Sequence, residues 1–249
     1  MALPLLKAEH LLMCDFDGTL FDGMNPKAEA LHQTFSEFFP SLARRKNAIM
    51  KSFFDHGGRS TEDIIQGTAE RMNVNLDDAV LQKMRGRQLE LERKFVEEKG
   101  RFFEDSRNLK ELENHGIAVG ITTSGDQPLV HGLVHREGYQ DVFSFIGGRG
   151  FEWEKKTGGQ FRKGKSHLEL INAYRQRHGL PPLSISYWGD TVKDLEEAVA
   201  LGAEQIFMRQ GTMRRKDILA AAERMGLRTK VVVVKLAREV IEHLRNRAS

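Results

Sequence analysis

The sequence predicts an α/β protein: a Rossmann-like parallel sheet with helices on both faces, and an all-helical cap inserted after its first strand. Three observations carry that reading. A short apolar run, Leu11-Leu12-Met13-Cys14, stops abruptly at Asp15, as a buried parallel strand does. Residues 26–99 then hold helical signals and no convincing strand. From Gly100 onward, strand-like and helix-like segments alternate, which implies βαβ units feeding one parallel sheet.

The elements follow in order. Pro26 suits the first turn of a helix carrying Ala28, Leu31, Phe35 and Phe38. Ser60-Thr61-Glu62-Asp63 reads as a capping box that opens a helix with Ile64, Ile65 and Ala69. Residues 76–98 place Val80, Met84, Leu91 and Phe95 near helical spacing among many charges. Beyond Gly100 the expected strands are 117–122, 142–146, 184–188, 205–208 and 230–234. The expected helices are 106–114, 127–137, 166–178, 192–201, 212–225 and 238–247. The core is therefore expected to comprise residues 1–22 and 100–249, with the cap at 23–99.

Composition narrows the function classes. The chain has 249 residues, 40% hydrophobic and 29% charged, which is ordinary for a globular protein. No apolar run approaches the roughly 18 residues of a membrane helix, and the opening M-A-L-P-L-L-K-A-E-H is too weakly apolar for a secretory signal. The single cysteine, Cys14, excludes an internal disulfide, fits a reducing compartment and behaves in its apolar strand as a small hydrophobe. A cytoplasmic protein is expected. The net charge of +3 is concentrated after Arg209, densest at Arg214-Arg215-Lys216. No aromatic residues interleave those charges for base stacking, so solvated helix faces are the better reading than a nucleic-acid surface.

Ligands of such sheets bind at the carboxyl ends of the strands. The first strand ends in D-F-D-G-T, with Asp15 and Asp17 crowded before a glycine turn. Carboxylates that close need a shared cation or proton. The next strand ends in T-T-S-G, where the hydroxyls of Thr122 and Thr123 and nearby N–H groups suit a phosphate oxygen. A lysine, Lys165, opens a later helix, and the strand 184–188 runs into G-D-T-V-K-D, with Asp190 and Asp194. Oxygen ligands without a His or Cys partner point to Mg²⁺.

These motifs, in this order along the whole chain, resemble the haloacid dehalogenase superfamily of phosphohydrolases. The helical insertion resembles the small cap of phosphoglycolate phosphatases and β-phosphoglucomutase. The resemblance implies roles: Asp15 as nucleophile and Mg²⁺ ligand, and Asp17 as general acid/base with its carbonyl also on the metal. It further implies Thr122 on the phosphate and Lys165 orienting Asp15. Asp190 is implied on the metal, with Asp194 either a ligand or the holder of a metal water. Thr123 stands where many relatives have Asn. The second Asp of D-x-D is absent from the superfamily's dehalogenases, so a small phosphorylated metabolite is expected as substrate. A phosphomutase or a phosphonate hydrolase is the alternative on the same core. Arg59, in a cap loop beside Gly57-Gly58, suits an anionic substrate group, as well as an ordinary solvated position.

Two local ambiguities accompany this. Lys163 rivals Lys165 for the lysine role; Lys165 is preferred because it directly precedes the helix. Residues 159–166, G-Q-F-R-K-G-K-S, also match the phosphate-cradling P-loop, but the segment before them, F-E-W-E-K-K-T-G, is no apolar strand. Nucleotide binding through that motif is therefore the lesser expectation. The sequence is silent on oligomeric state.

Overall fold

The computed structural model of the protein describes residues 4–56, 60–149, 163–211 and 213–248. The chain divides into two compact units: Met1–Phe21 with Phe102–Ser249, and Asp22–Arg101.

The larger unit is built on six parallel strands: β1 (His10–Asp15), β4 (Ile117–Asp126), β5 (Phe145–Arg149), β6 (Ser184–Gly189), β7 (Gln205–Arg209) and β8 (Val231–Val234). Two further strands of two residues each, β2 (Phe21–Asp22) and β3 (Arg101–Phe102), lie where the chain passes from one unit to the other. The sheet order is β5-β4-β1-β6-β7-β8. β1 is central, and the chain goes to β4 and β5 on one side before returning to β6 on the other. That reversal is a topological switch point, where a crevice opens at the carboxyl ends of neighbouring strands. Register aligns Asp15 with Thr122 on one flank and Cys14 with Trp188 on the other.

The sheet helices are α6 (Gln127–Arg136), α7 (Lys165–Arg177), α8 (Val192–Ala200), α9 (Arg215–Arg224) and α10 (Ala237–Ala248), preceded by one short turn, α1 (Pro4–Lys7). The core beneath them joins Leu11, Met13, Ile185, Tyr187, Leu195 and Ile206. β1 is buried over nearly its whole length because covered parallel sheets bury both faces of their strands.

The segment expected as a helix at 106–114 is a 3₁₀ helix, Glu104–His115, closed by Gly116 at a positive φ of 70°. β4 runs past Thr122 to Asp126, with a register shift against β5 between these two residues. β5 begins at Phe145 rather than Val142. Val142 and Phe143 are buried ahead of the strand, where Phe143 stacks with Tyr139 and Phe102, so their apolar character reflects packing in a turn.

The smaller unit is helical: α2 (Met24–Phe38), a 3₁₀ segment (Pro40–Arg45), α3 (Lys46–Asp55), α4 (Thr61–Met72) and α5 (Asp78–Lys99). Ala28, Leu31, Phe35, Ile49, Phe53, Ile65 and Met84 meet in its core. The capping box is formed: the Asp63 N–H donates to the Ser60 hydroxyl oxygen at 3.1 Å, and the Asp63 carboxylate accepts from the Ser60 N–H. Among the described residues, no helix is long and apolar enough to cross a membrane.

Candidate active site

The carboxyl ends of β1 and β6 and the start of α8 bring Asp15, Asp190 and Asp194 together. One carboxylate oxygen of each lies within 4.8 Å of the others, and all three residues are buried. Two glycines permit this approach. Gly18 has φ +83°, and a Cβ there would stand 2.3 Å from Asp190 Oδ2. A Cβ on Gly189 would stand 2.3 Å from the Cβ of Asp194.

Lys163 is the cation among them. Its Nζ donates to Asp15 Oδ1 at 2.5 Å and to Asp194 Oδ1 at 2.8 Å, with only 17% of its side chain exposed. Burial pulls the Lys163 pKa down, but Asp15 and Asp194 outweigh it and hold the ammonium well above its ordinary range. Burial pushes the Asp15 carboxyl well up; Lys163 pulls against this, while Asp194 and Asp190 push it further. Among the described residues, one lysine pairs with two of the three buried carboxylates, a deficit of positive charge. That deficit, with an all-oxygen donor set, fits a hard divalent cation such as Mg²⁺.

Asp194 is held differently from its neighbours. Its Oδ1 accepts from Lys163 and from the Tyr187 hydroxyl at 3.1 Å. Its Oδ2 accepts from the Asp190 N–H at 3.2 Å, the Thr191 N–H at 3.0 Å and the Thr191 hydroxyl at 2.6 Å. Burial opposes its charge, but Lys163 and the Thr191 bonds prevail and lower its pKa. With five donors on two oxygens, Asp194 sets the start of α8 and the place of Lys163.

A family model for haloacid dehalogenase-like hydrolases matches residues 12–208. The chain belongs to this family. Solved structures agree in fold. A haloacid dehalogenase-like family hydrolase from Streptococcus pneumoniae superposes with TM-score 0.62 at 18% identity, covering 94% of this chain and 98% of that one. A candidate β-phosphoglucomutase from Thermotoga maritima gives 0.62 at 16%, covering 95% and 99%. A candidate phosphoglycolate phosphatase from Lactobacillus delbrueckii gives 0.61 at 18%, covering 95% and 98%. No functionally curated protein matches the sequence at a significant level.

Within this haloacid dehalogenase-like frame, several sequence expectations need correction. Lys163, not Lys165, reaches Asp15. α7 does begin at Lys165, but at that first position the side chain is exposed. Gly164 makes the difference: it turns at φ +45°, and its N–H donates to the Thr122 hydroxyl at 3.0 Å, which directs the preceding lysine inward. The same bond engages a backbone N–H that a P-loop would offer to phosphate. Residues 159–162 of that motif, and Arg59, lie outside the described residues.

Thr122 is engaged within the protein. Its hydroxyl is fully buried, accepts from Gly164 and bonds His167 Nδ1 at 2.6 Å, tying the lysine turn to the sheet. Thr123 Oγ1 accepts from the Gly125 N–H at 3.0 Å and shapes the turn after it. The carboxylate of Asp17 is not part of the three-carboxylate cluster; the residue is half-buried and bridges to Phe21. His167 escaped the sequence reading. It is buried at the start of α7, and burial depresses its pKa to about 4. The only sequence signal for it was a polar residue on the apolar side of a helix start.

Proposed function

We propose that the chain is a Mg²⁺-dependent phosphatase that hydrolyses a small phosphorylated metabolite through an aspartyl phosphate on Asp15. The helical unit, 22–101, would serve as its cap and choose the substrate. One observation carries the reading: a buried carboxylate at the end of the central strand, gripped at 2.5 Å by a half-buried lysine and crowded by Asp190. The family supports it, and one structural relative is named for phosphoglycolate phosphatase activity.

The chemistry follows from the side chains. Lys163 fixes one oxygen of Asp15, leaving the other to attack phosphorus as a nucleophile. Asp17, two residues on, protonates the departing alcohol as the P–O bond breaks. The same carboxylate then takes a proton from water, which attacks the acyl phosphate and releases Asp15 and inorganic phosphate. Asp194 keeps Lys163 charged and in place. Asp15 and Asp190 are the residues that would hold Mg²⁺, which supplies positive charge beside the transferring oxygens.

Hydrolysis of p-nitrophenyl phosphate with and without Mg²⁺ tests this. Turnover that requires the metal, and that Asp15→Asn lowers by at least about 1,000-fold in a folded protein, is the expected result. Turnover unaffected by that substitution would sink the aspartyl-phosphate route. Transfer of phosphate between two positions of a sugar phosphate, without its release, would move the assignment to a phosphomutase.

A further inference from the structure

β7 ends in a charge that the mechanism above does not use. Arg209 is 8% exposed, and its Nη1 donates to the Thr19 carbonyl at 3.0 Å. Its guanidinium lies 3.8 Å from the ring centroid of Phe103 and 5.9 Å from that of Trp188. Burial lowers its pKa, and the fields of Asp105 and Asp190 act against that. A buried guanidinium is costly unless its donors and its planar face are both engaged. Here one donor is taken by the Thr19 carbonyl, and the face lies on Phe103 with Trp188 further off. Thr19 closes the D-F-D-G-T turn, and Trp188 stands two residues before Asp190.

The turn is a tight structure. Gly18 N–H donates to Phe21 at 2.8 Å, while the N–H groups of Leu20 and Phe21 both donate to the Phe16 carbonyl, at 3.1 and 3.0 Å. These bonds define its shape, and the Leu20 carbonyl ties the chain after it to the Phe103 N–H at 2.9 Å and the Ser106 hydroxyl at 3.2 Å, but none of them is an attachment to the neighbouring strand ends. Arg209 supplies such an attachment from two strands away, since β6 lies between β1 and β7.

We propose that Arg209 is a positioning residue: it fixes the Asp15–Thr19 turn, and with it the carboxylate of Asp17, relative to the strand end that bears Asp190. Its effect on catalysis rests on the phosphatase reading above; the anchoring of the turn does not. Lysine is a poor substitute, because a point charge on a flexible stem loses the stack on Phe103 and the fixed direction of the bond to Thr19.

The test uses the whole chain with Arg209→Lys and Arg209→Met, the lysine variant guarding against simple misfolding. Amide hydrogen exchange and Mg²⁺-dependent p-nitrophenyl phosphate kinetics are read together. In both variants the amides of Gly18, Leu20 and Phe21 should exchange roughly tenfold faster or more, as for loss of a buried charged hydrogen bond, with β4 and β8 unchanged. The kcat should fall about 100-fold with KM moving less than about threefold, the pattern of misplaced catalytic groups. Unchanged exchange at the turn, or equal acceleration across the whole sheet, overturns the proposal by making Arg209 a general stabiliser. A raised KM with kcat intact overturns it in favour of direct substrate contact. A wild type without phosphatase activity whose turn still loosens on substitution sinks the functional reading and leaves the anchor standing.

Discussion

The two ends of the central sheet bury polar groups in opposite ways. At the amino end, Arg175 is 3% exposed and donates to three carbonyls: its Nε to Pro181 at 2.8 Å, and its Nη1 to Leu5 at 2.5 Å and Ala8 at 2.9 Å. Nearby, both ring nitrogens of His10 meet serine hydroxyls, Ser184 and Ser186. Arg175 and His10 each meet complementary partners there. At the carboxyl end, three buried carboxylates crowd together, two of them sharing one lysine, and glycines at 18 and 189 let them come closer than side chains would allow. Complementary burial lowers the energy of the fold. Crowded burial raises it, and persists because the site needs that charge for work.

The contrast breaks most sharply at the lysine. Lys163→Met should reduce kcat about 1,000-fold by removing the positive charge beside Asp15. Lys165→Met, two positions along on an exposed side chain, should leave kcat within about twofold, as surface substitutions usually do. Steady-state kinetics of the pair decide it. Equal losses would return the role to Lys165 and discredit the turn at Gly164.

Next comes Gly18→Ala. The added methyl meets Asp190 at a backbone φ of +83°, so the turn or the carboxylate must shift. A loss of about 100-fold in kcat is expected from that displacement, with a smaller change in melting temperature. A variant as active as the wild type would show that the crowding is not functional.

At the amino end the signs should reverse. Arg175→Met leaves three carbonyls short of a donor and should cost about 3 to 4 kcal/mol. That is a fall in Tm of roughly 10 °C for a chain of this size, with turnover at 25 °C retained. Loss of activity in the folded variant would erase the distinction between the two ends.

The smallest expected effect concerns His167. Its folded pKa of about 4 lies below the ordinary 6.5, so the unfolded chain binds more protons between these values. Its contribution is fully present above about pH 6.5 and is lost as the pH falls towards 4, on the order of 3 kcal/mol. Denaturant unfolding at several pH values, compared with His167→Gln, reads this out. The variant should lose less stability across that window, and parallel curves would refute the assignment.

Much of this was legible in the sequence. The alternation after Gly100, the apolar run ending at Asp15, the capping box at Ser60–Asp63 and the order D-x-D-G-T, Lys, G-D-x-x-x-D are local patterns, and local chemistry produces them. The misreadings share one character. Helix-start logic began the helix at residue 166, one position after its observed start at Lys165, and so preferred the lysine beside that start, the wrong one. A helix start says where the backbone begins to coil. It does not say which side chain points into a mouth formed by other strands.

What the sequence determined by itself is the fold class and the set of residues from which the site is drawn, because periodicity and strand-end motifs need only near neighbours. What only the tertiary structure decided is how those residues divide the work. Lys163 faces Asp15 because Gly164 bonds Thr122, 42 positions away. Thr122 serves the lysine turn because His167 takes its other bond. Asp194 is held by five donors, some of them brought by distant segments. Arg209 reaches Thr19 across 190 positions of chain. Each choice is a contest among hydrogen-bond partners and charges that meet only when the strands are side by side, and no local pattern carries its outcome.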